Sequence, residues 1–152
     1  MPLKEIAVGI FAAAMIAAAA APAAAQVLDA TYRGTLVCDR LPFIKTKMRE
    51  AIEVTIAGGS VRYSEAVRLR STVAEPAPEQ GTGTLSGRHI ELQGSWKHGD
   101  RQYDAKYSGD FVRRSAKLSG TQAWTVGGRT VTRTCSGAIK RPLKAFLPRK
   151  KP

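Results

Sequence analysis

From residue 30 onward the chain alternates apolar and polar side chains with a period of two. Residues 30–38 set the rhythm: Tyr32, Gly34, Leu36 and Cys38 fall on one face, and Thr31, Arg33, Thr35 and Val37 on the other. That period marks a β-strand with one buried face. It recurs seven more times, over residues 52–57, 61–73, 82–86, 89–97, 102–112, 116–126 and 129–140. Turns separate the runs at Gly58-Gly59, Gly87-Arg88, His98-Gly99-Asp100, Arg113-Arg114 and Gly127-Gly128. Glycine supplies the positive φ that tight hairpins require. Residues 83–94 and 109–120 repeat one pattern: a strand end, a polar turn, then a strand running to a glycine.

Two stretches break the rhythm. Residues 39–51 hold Pro42 and the cluster Lys45, Lys47, Arg49 and Glu50, and read as a long loop or a short helical turn. Leu41, Phe43, Ile44 and Met48 are its candidate lid residues. Residues 75–79 read Glu-Pro-Ala-Pro-Glu, a connecting loop, because proline cannot donate to a ladder.

The predicted fold is all-β: an antiparallel eight-stranded up-and-down meander closing into a small barrel. Closure removes the exposed edges that invite aggregation. Cys38 lies on the first predicted strand and Cys135 on the last, so a disulfide between them requires those strands to be neighbours. Gly34, Gly94, Gly109 and Gly120 suit the bends of a narrow barrel.

The segment before the strands has a different character. Lys4 precedes an apolar run over residues 6–21, and Ala23-Ala24-Ala25 follows. This is the pattern of an N-terminal signal peptide cleaved after Ala25. The alternative is a membrane anchor, but the run is shorter than the roughly 18 to 20 residues a spanning helix needs. The expected organisation is residues 1–25 as signal peptide, 26–140 as a single barrel domain and 141–152 as a basic tail. Export to the periplasm or the medium follows, and with it an oxidising compartment in which two thiols become one disulfide. Two separate buried thiols are the alternative.

All four tyrosines, Tyr32, Tyr63, Tyr103 and Tyr107, fall on inward positions, with Trp96, Trp124 and Phe111. Glu65, Gln122 and Arg133 do too. Two readings stand: a filled barrel, or a cavity lined by Tyr63, Trp96, Tyr103, Tyr107 and Trp124 with Glu65, Gln122 and Arg133 as polar contacts. A buried charge is costly unless paired, and Glu65 with Arg133 would pair.

The segment Y-R-G-T-L-V-C at residues 32–38, with L-S-G-T-Q-A-W and R-T-C-S within residues 118–136, resembles small exported proteins of alphaproteobacteria. That resemblance implies no activity. Y-S-G-D-F-V at residues 107–112 is similar to a strand of avidin-like barrels, and lipocalin-like barrels share the architecture.

Catalytic patterns are sparse. His89 and His98 lack ligand spacing and read as solvated turn residues. Gly81, Gly83 and Gly87 do not have the spacing of a nucleotide loop. There is no nucleophile elbow. No cofactor and no metal are expected, and the expected class is non-enzymatic.

Charge is the clearest surface signal. The chain carries a net charge of +12. Arg33, Arg62, Arg68, Arg70, Lys106, Lys117 and Lys140 sit on outward positions. Such a surface attracts polyanions; in an exported protein these are anionic polysaccharide or lipid rather than nucleic acid. The alternative is that the charge serves solubility alone. The expectations are a small ligand or anionic envelope component as partner and no membrane span after processing. The runner-up is an inhibitor acting through residues 39–51 and 70–80.

Overall fold

The computed structural model describes residues 28–68 and 76–143. The expected signal peptide, Arg70 and most of the basic tail lie outside those residues. Eight strands follow one another: β1 (Ala30–Cys38), β2 (Met48–Ala57), β3 (Ser60–Glu65), β4 (Glu79–Ser86), β5 (His89–His98), β6 (Arg101–Val112), β7 (Ser115–Val126) and β8 (Arg129–Lys140). Each pairs antiparallel with the next, and β8 pairs with β1, so the meander closes into a barrel.

Three boundaries differ from the sequence reading by three residues or more. Strand β2 begins at Met48, so the loop expected over 39–51 is shorter. Its charged residues Arg49 and Glu50 hid an alternation that runs back through Glu50 from Ile52, Val54 and Ile56. Strand β3 ends at Glu65, not Val73; the alternation continues through Val67 past the last register pair, with Ala66 N–H still donating to the Ala51 carbonyl of β2 at 2.8 Å. Strand β4 begins at Glu79 rather than Thr82, directly after the proline pair.

Cys38 and Cys135 are register partners on β1 and β8 and are joined by a disulfide, with Cα atoms 4.0 Å apart. An oxidising environment suits that bond.

The register also sets the bore. From Tyr32 the ladder partners run through Val54, Tyr63, Gly81, Gly94, Ala105, Gln122 and Arg133. The Cys38–Cys135 pairing then places Arg133 level with residue 40, eight residues beyond Tyr32. A barrel's radius depends on strand number and stagger together. Eight strands with a stagger of eight enclose room for little more than their own inward side chains.

Glycines make the narrow bore passable. A Cβ on Gly34, Gly109 or Gly120 would run into backbone of the adjacent strand. A Cβ on Gly81 or Gly94 would occupy the space of the Tyr63 side chain.

The interior divides along the barrel axis. One end is closed by short turns and filled by Val54, Ile56, Val61, Ile90, Leu92, Phe111, Leu118 and Ile139, all buried. The other end, the mouth, carries the two long connections, β1–β2 and β3–β4. All five buried polar or charged residues belong to the half toward the mouth or the middle: Glu50, Glu65, Glu79, Gln122 and Arg133. Among the described residues no helix is long and apolar enough to cross a membrane.

The disulfide spans 97 residues of sequence, so reduction releases a long loop in the unfolded chain. Replacing both cysteines with serine should lower stability by about 4 kcal/mol, measured by urea unfolding.

Candidate functional site

The eight candidate side chains converge as their inward phase predicted. Tyr63, Glu65, Trp96, Tyr103, Tyr107, Gln122, Trp124 and Arg133 are all buried. They form one connected polar and aromatic cluster. Tyr107 donates to Glu65 Oε2 at 2.7 Å, and Gln122 Nε2 donates to the Tyr107 hydroxyl at 2.7 Å. Gln122 Oε1 accepts from Trp124 Nε1 at 3.0 Å and from Arg133 Nε and Nη2 at 2.8 and 2.6 Å. The Arg133 guanidinium lies over the Trp124 ring, 5.1 Å from its centroid, a cation–π contact. Trp96, Tyr103 and Trp124 pack together, with Tyr103 and Trp124 centroids 4.5 Å apart.

The expected Glu65–Arg133 ion pair is replaced by a relay. Gln122 stands between them on β7, register partner of Arg133, and its amide serves both. Its Nε2 lies 3.4 Å from Glu65 Oε1.

Sequence reasoning missed two carboxylates. Glu79, assigned to a loop, is fully buried, is the register partner of Glu65 and accepts from the Tyr63 hydroxyl. The signal was faint because its inward face continues through Gly81 and Gly83, which carry no hydrophobic mark. Glu50 is 3 % exposed and sits two residues before inward-facing Ile52 on β2. The interior thus holds three carboxyl groups and one guanidinium.

Such a cluster cannot ionise fully at low cost. Burial pushes Glu65 up to about 8, helped by the adjacent Glu79. Burial pushes Glu79 up as well. Burial takes Glu50 to about 7, while the Arg68 backbone N–H and then the charges of Arg68 and Arg133 pull it back. The tyrosine hydroxyls of Tyr63, Tyr103 and Tyr107 are held protonated, first by burial and then by these carboxylates.

The cluster is packed rather than open. Of its eight side chains, only Tyr107 borders any of the four main cavities of the described surface. The mouth is different. A cavity of about 810 Å³ lies there, bordered by Phe43, Ile44, Lys45, Thr46, Lys47, Met48, Arg49, Glu50, Arg68 and Arg101. Leu41 and Ile44 exchange backbone hydrogen bonds of 3.0 and 2.9 Å, making a tight turn that carries Phe43 over the mouth. Phe43 remains 39 % exposed, with its ring edge against Trp124, centroids 5.9 Å apart. Trp96 Nε1 donates to the Ala77 carbonyl at 2.8 Å and pins the β3–β4 connection. No side chain among the described residues donates to either carboxylate oxygen of Glu50; the Arg68 backbone N–H is the donor that faces it.

The histidines stand apart. His89 begins β5 at the far end, 2.9 Å from Asp110. His98 ends β5 and stacks on Trp96. Among the described residues no three His, Cys, Asp or Glu side chains are arranged to hold a metal.

No protein-family model and no curated protein matches the chain.

Glu65 binds its proton more tightly folded than unfolded. Its stabilising effect is complete below the unfolded value of 4.5 and is lost as pH rises through about 8. Glu65→Gln keeps an acceptor for Tyr107 but cannot ionise. Between pH 5 and 9 the stability difference should move in the variant's favour by about 1 kcal/mol or more, read from urea unfolding at each pH.

Proposed function

We propose that this is an exported, non-enzymatic binding protein of the periplasm or the medium, and that its ligand is a small amphipathic anion held at the mouth of the barrel. The observation that carries this reading is the lining of the mouth cavity. Phe43, Ile44 and Met48 offer apolar surface, and Lys45, Lys47, Arg49, Arg68 and Arg101 offer five cations. An apolar wall with convergent charge is the usual composition of a small-ligand site. Lys47 is already engaged 3.1 Å from Asp39, which leaves four cations without a carboxylate within salt-bridge distance among the described residues. An envelope lipid or glycolipid bearing phosphate or carboxylate has the matching chemistry. The narrow bore supports a role for the interior cluster as the rigid floor of the site, with Trp124 beneath Phe43, rather than as the pocket itself.

A second reading is favoured by the same filled interior. The ordered β1–β2 connection would then dock a macromolecule, as in an inhibitor of an envelope or host enzyme. The two differ in whether a small anion alone binds.

Anilinonaphthalene sulfonate combines an aromatic body with an ionised sulfonate and serves as the probe. It should bind the mature protein, and Lys45→Glu/Arg101→Glu should weaken binding by about tenfold or more, measured by fluorescence titration. A cationic dansyl amine should bind poorly. Sulfonate binding untouched by the charge reversal would overturn the mouth site.

A further inference from the structure

We infer that Glu50 is the specificity-determining residue of the mouth site, and that it takes up a proton from solvent as an anionic ligand docks. The inference rests on the binding site proposed above.

Glu50 is the one acid among the ten residues bordering the mouth cavity. It is 3 % exposed, and no side chain among the described residues donates to either oxygen; the Arg68 backbone N–H is the donor that faces it. A buried carboxyl group so sparsely bonded is unusual, because buried polar atoms nearly always find full sets of partners. The groups that face it come from every neighbouring element. Arg68 follows β3, and Arg133 projects from β8. Glu65 lies on β3, and the charge of Glu50 disfavours its ionisation. Arg49 neighbours it on β2, Lys45 and Lys47 lie in the β1–β2 connection, and Arg101 opens β6. Leu36, its register partner on β1, contributes no charge.

An ionised Glu50 sets a negative charge at the floor of a site otherwise built for anions, and its oxygens are buried, so it acts on a docked anion through charge rather than contact. Protonation removes that repulsion. The step balances simply: one proton leaves solvent and joins a Glu50 oxygen as the anion docks. Linkage makes the effect reciprocal, so the bound anion raises proton affinity as much as the proton raises anion affinity. In the free protein burial already holds Glu50 near 7, so the transition falls between about pH 6 and 8.5. Glu65 titrates nearby, but it does not border the cavity.

The test is titration with anilinonaphthalene sulfonate, whose sulfonate stays ionised throughout. All proteins carry His98→Gln, which removes the imidazole stacked on Trp96 at the mouth end of β5. With Glu50 intact, the Kd should rise about tenfold or more from pH 6 to 8.5. Calorimetry at pH 8 in buffers of different ionisation heat should show net proton uptake on binding. Glu50→Gln should bind at both pH values with the affinity of the acid limb, and without that uptake. The inference is overturned if the Gln variant keeps the same pH slope, or if the Glu50 protein binds without taking up protons. Calorimetry on that protein decides the matter even where the Gln variant fails to fold. Absence of binding at every pH would instead overturn the mouth site itself.

Discussion

The pairing of β1 with β8 is the constraint on which the rest of this structure depends. It turns an open ribbon into a closed wall and fixes the stagger at eight residues. That stagger sets the bore, and the bore decides what the interior can hold. With this geometry the tyrosines and tryptophans that point inward must fill the space rather than line it. The glycines follow from the same constraint: Tyr63 fits only because Gly81 and Gly94 carry no Cβ in its path. The disulfide lies within this ladder, so it secures a contact that the backbone register already makes.

A filled barrel would be stable with an apolar core throughout. This one places Glu50, Glu65, Glu79, Gln122 and Arg133 in the half toward the mouth or the middle, where their desolvation is costly. Gln122 reduces that cost by serving Glu65 and Arg133 together. The tyrosine hydroxyls of Tyr63 and Tyr107 reduce it further by donating to carboxylates. No side chain serves Glu50 in this way, and it borders the cavity. Its position at the boundary between packed interior and open mouth is what gives it a role the deeper carboxylates do not have.

Much of the fold was legible because a period of two survives any single substitution. The alternation of β6, with Tyr103, Ala105, Tyr107 and Phe111 inward, needed no further support. Closure was legible through Cys38 and Cys135, which only a barrel of this order brings together. The site was legible where inward phase and aromatic character coincided, as at Tyr63, Trp96 and Trp124. It failed where charge or glycine masked the phase. Glu50 and Glu79 read as loop residues because carboxylates are rarely buried, and the rhythm on either side passes through Arg49 or Gly81. The Gln122 relay had no sequence signal, since it depends on which side chains the stagger brings level.

Amide hydrogen exchange in a Cys38→Ser/Cys135→Ser protein, followed residue by residue by NMR, tests the closure most directly. Backbone pairing that exists independently of the sulfur link should leave the ladder amides of β1 and β8 protected to within about tenfold of those in the β6–β7 ladder. Rapid exchange of β1 and β8, with β6 and β7 still protected, would contradict the closed barrel and everything derived from its bore.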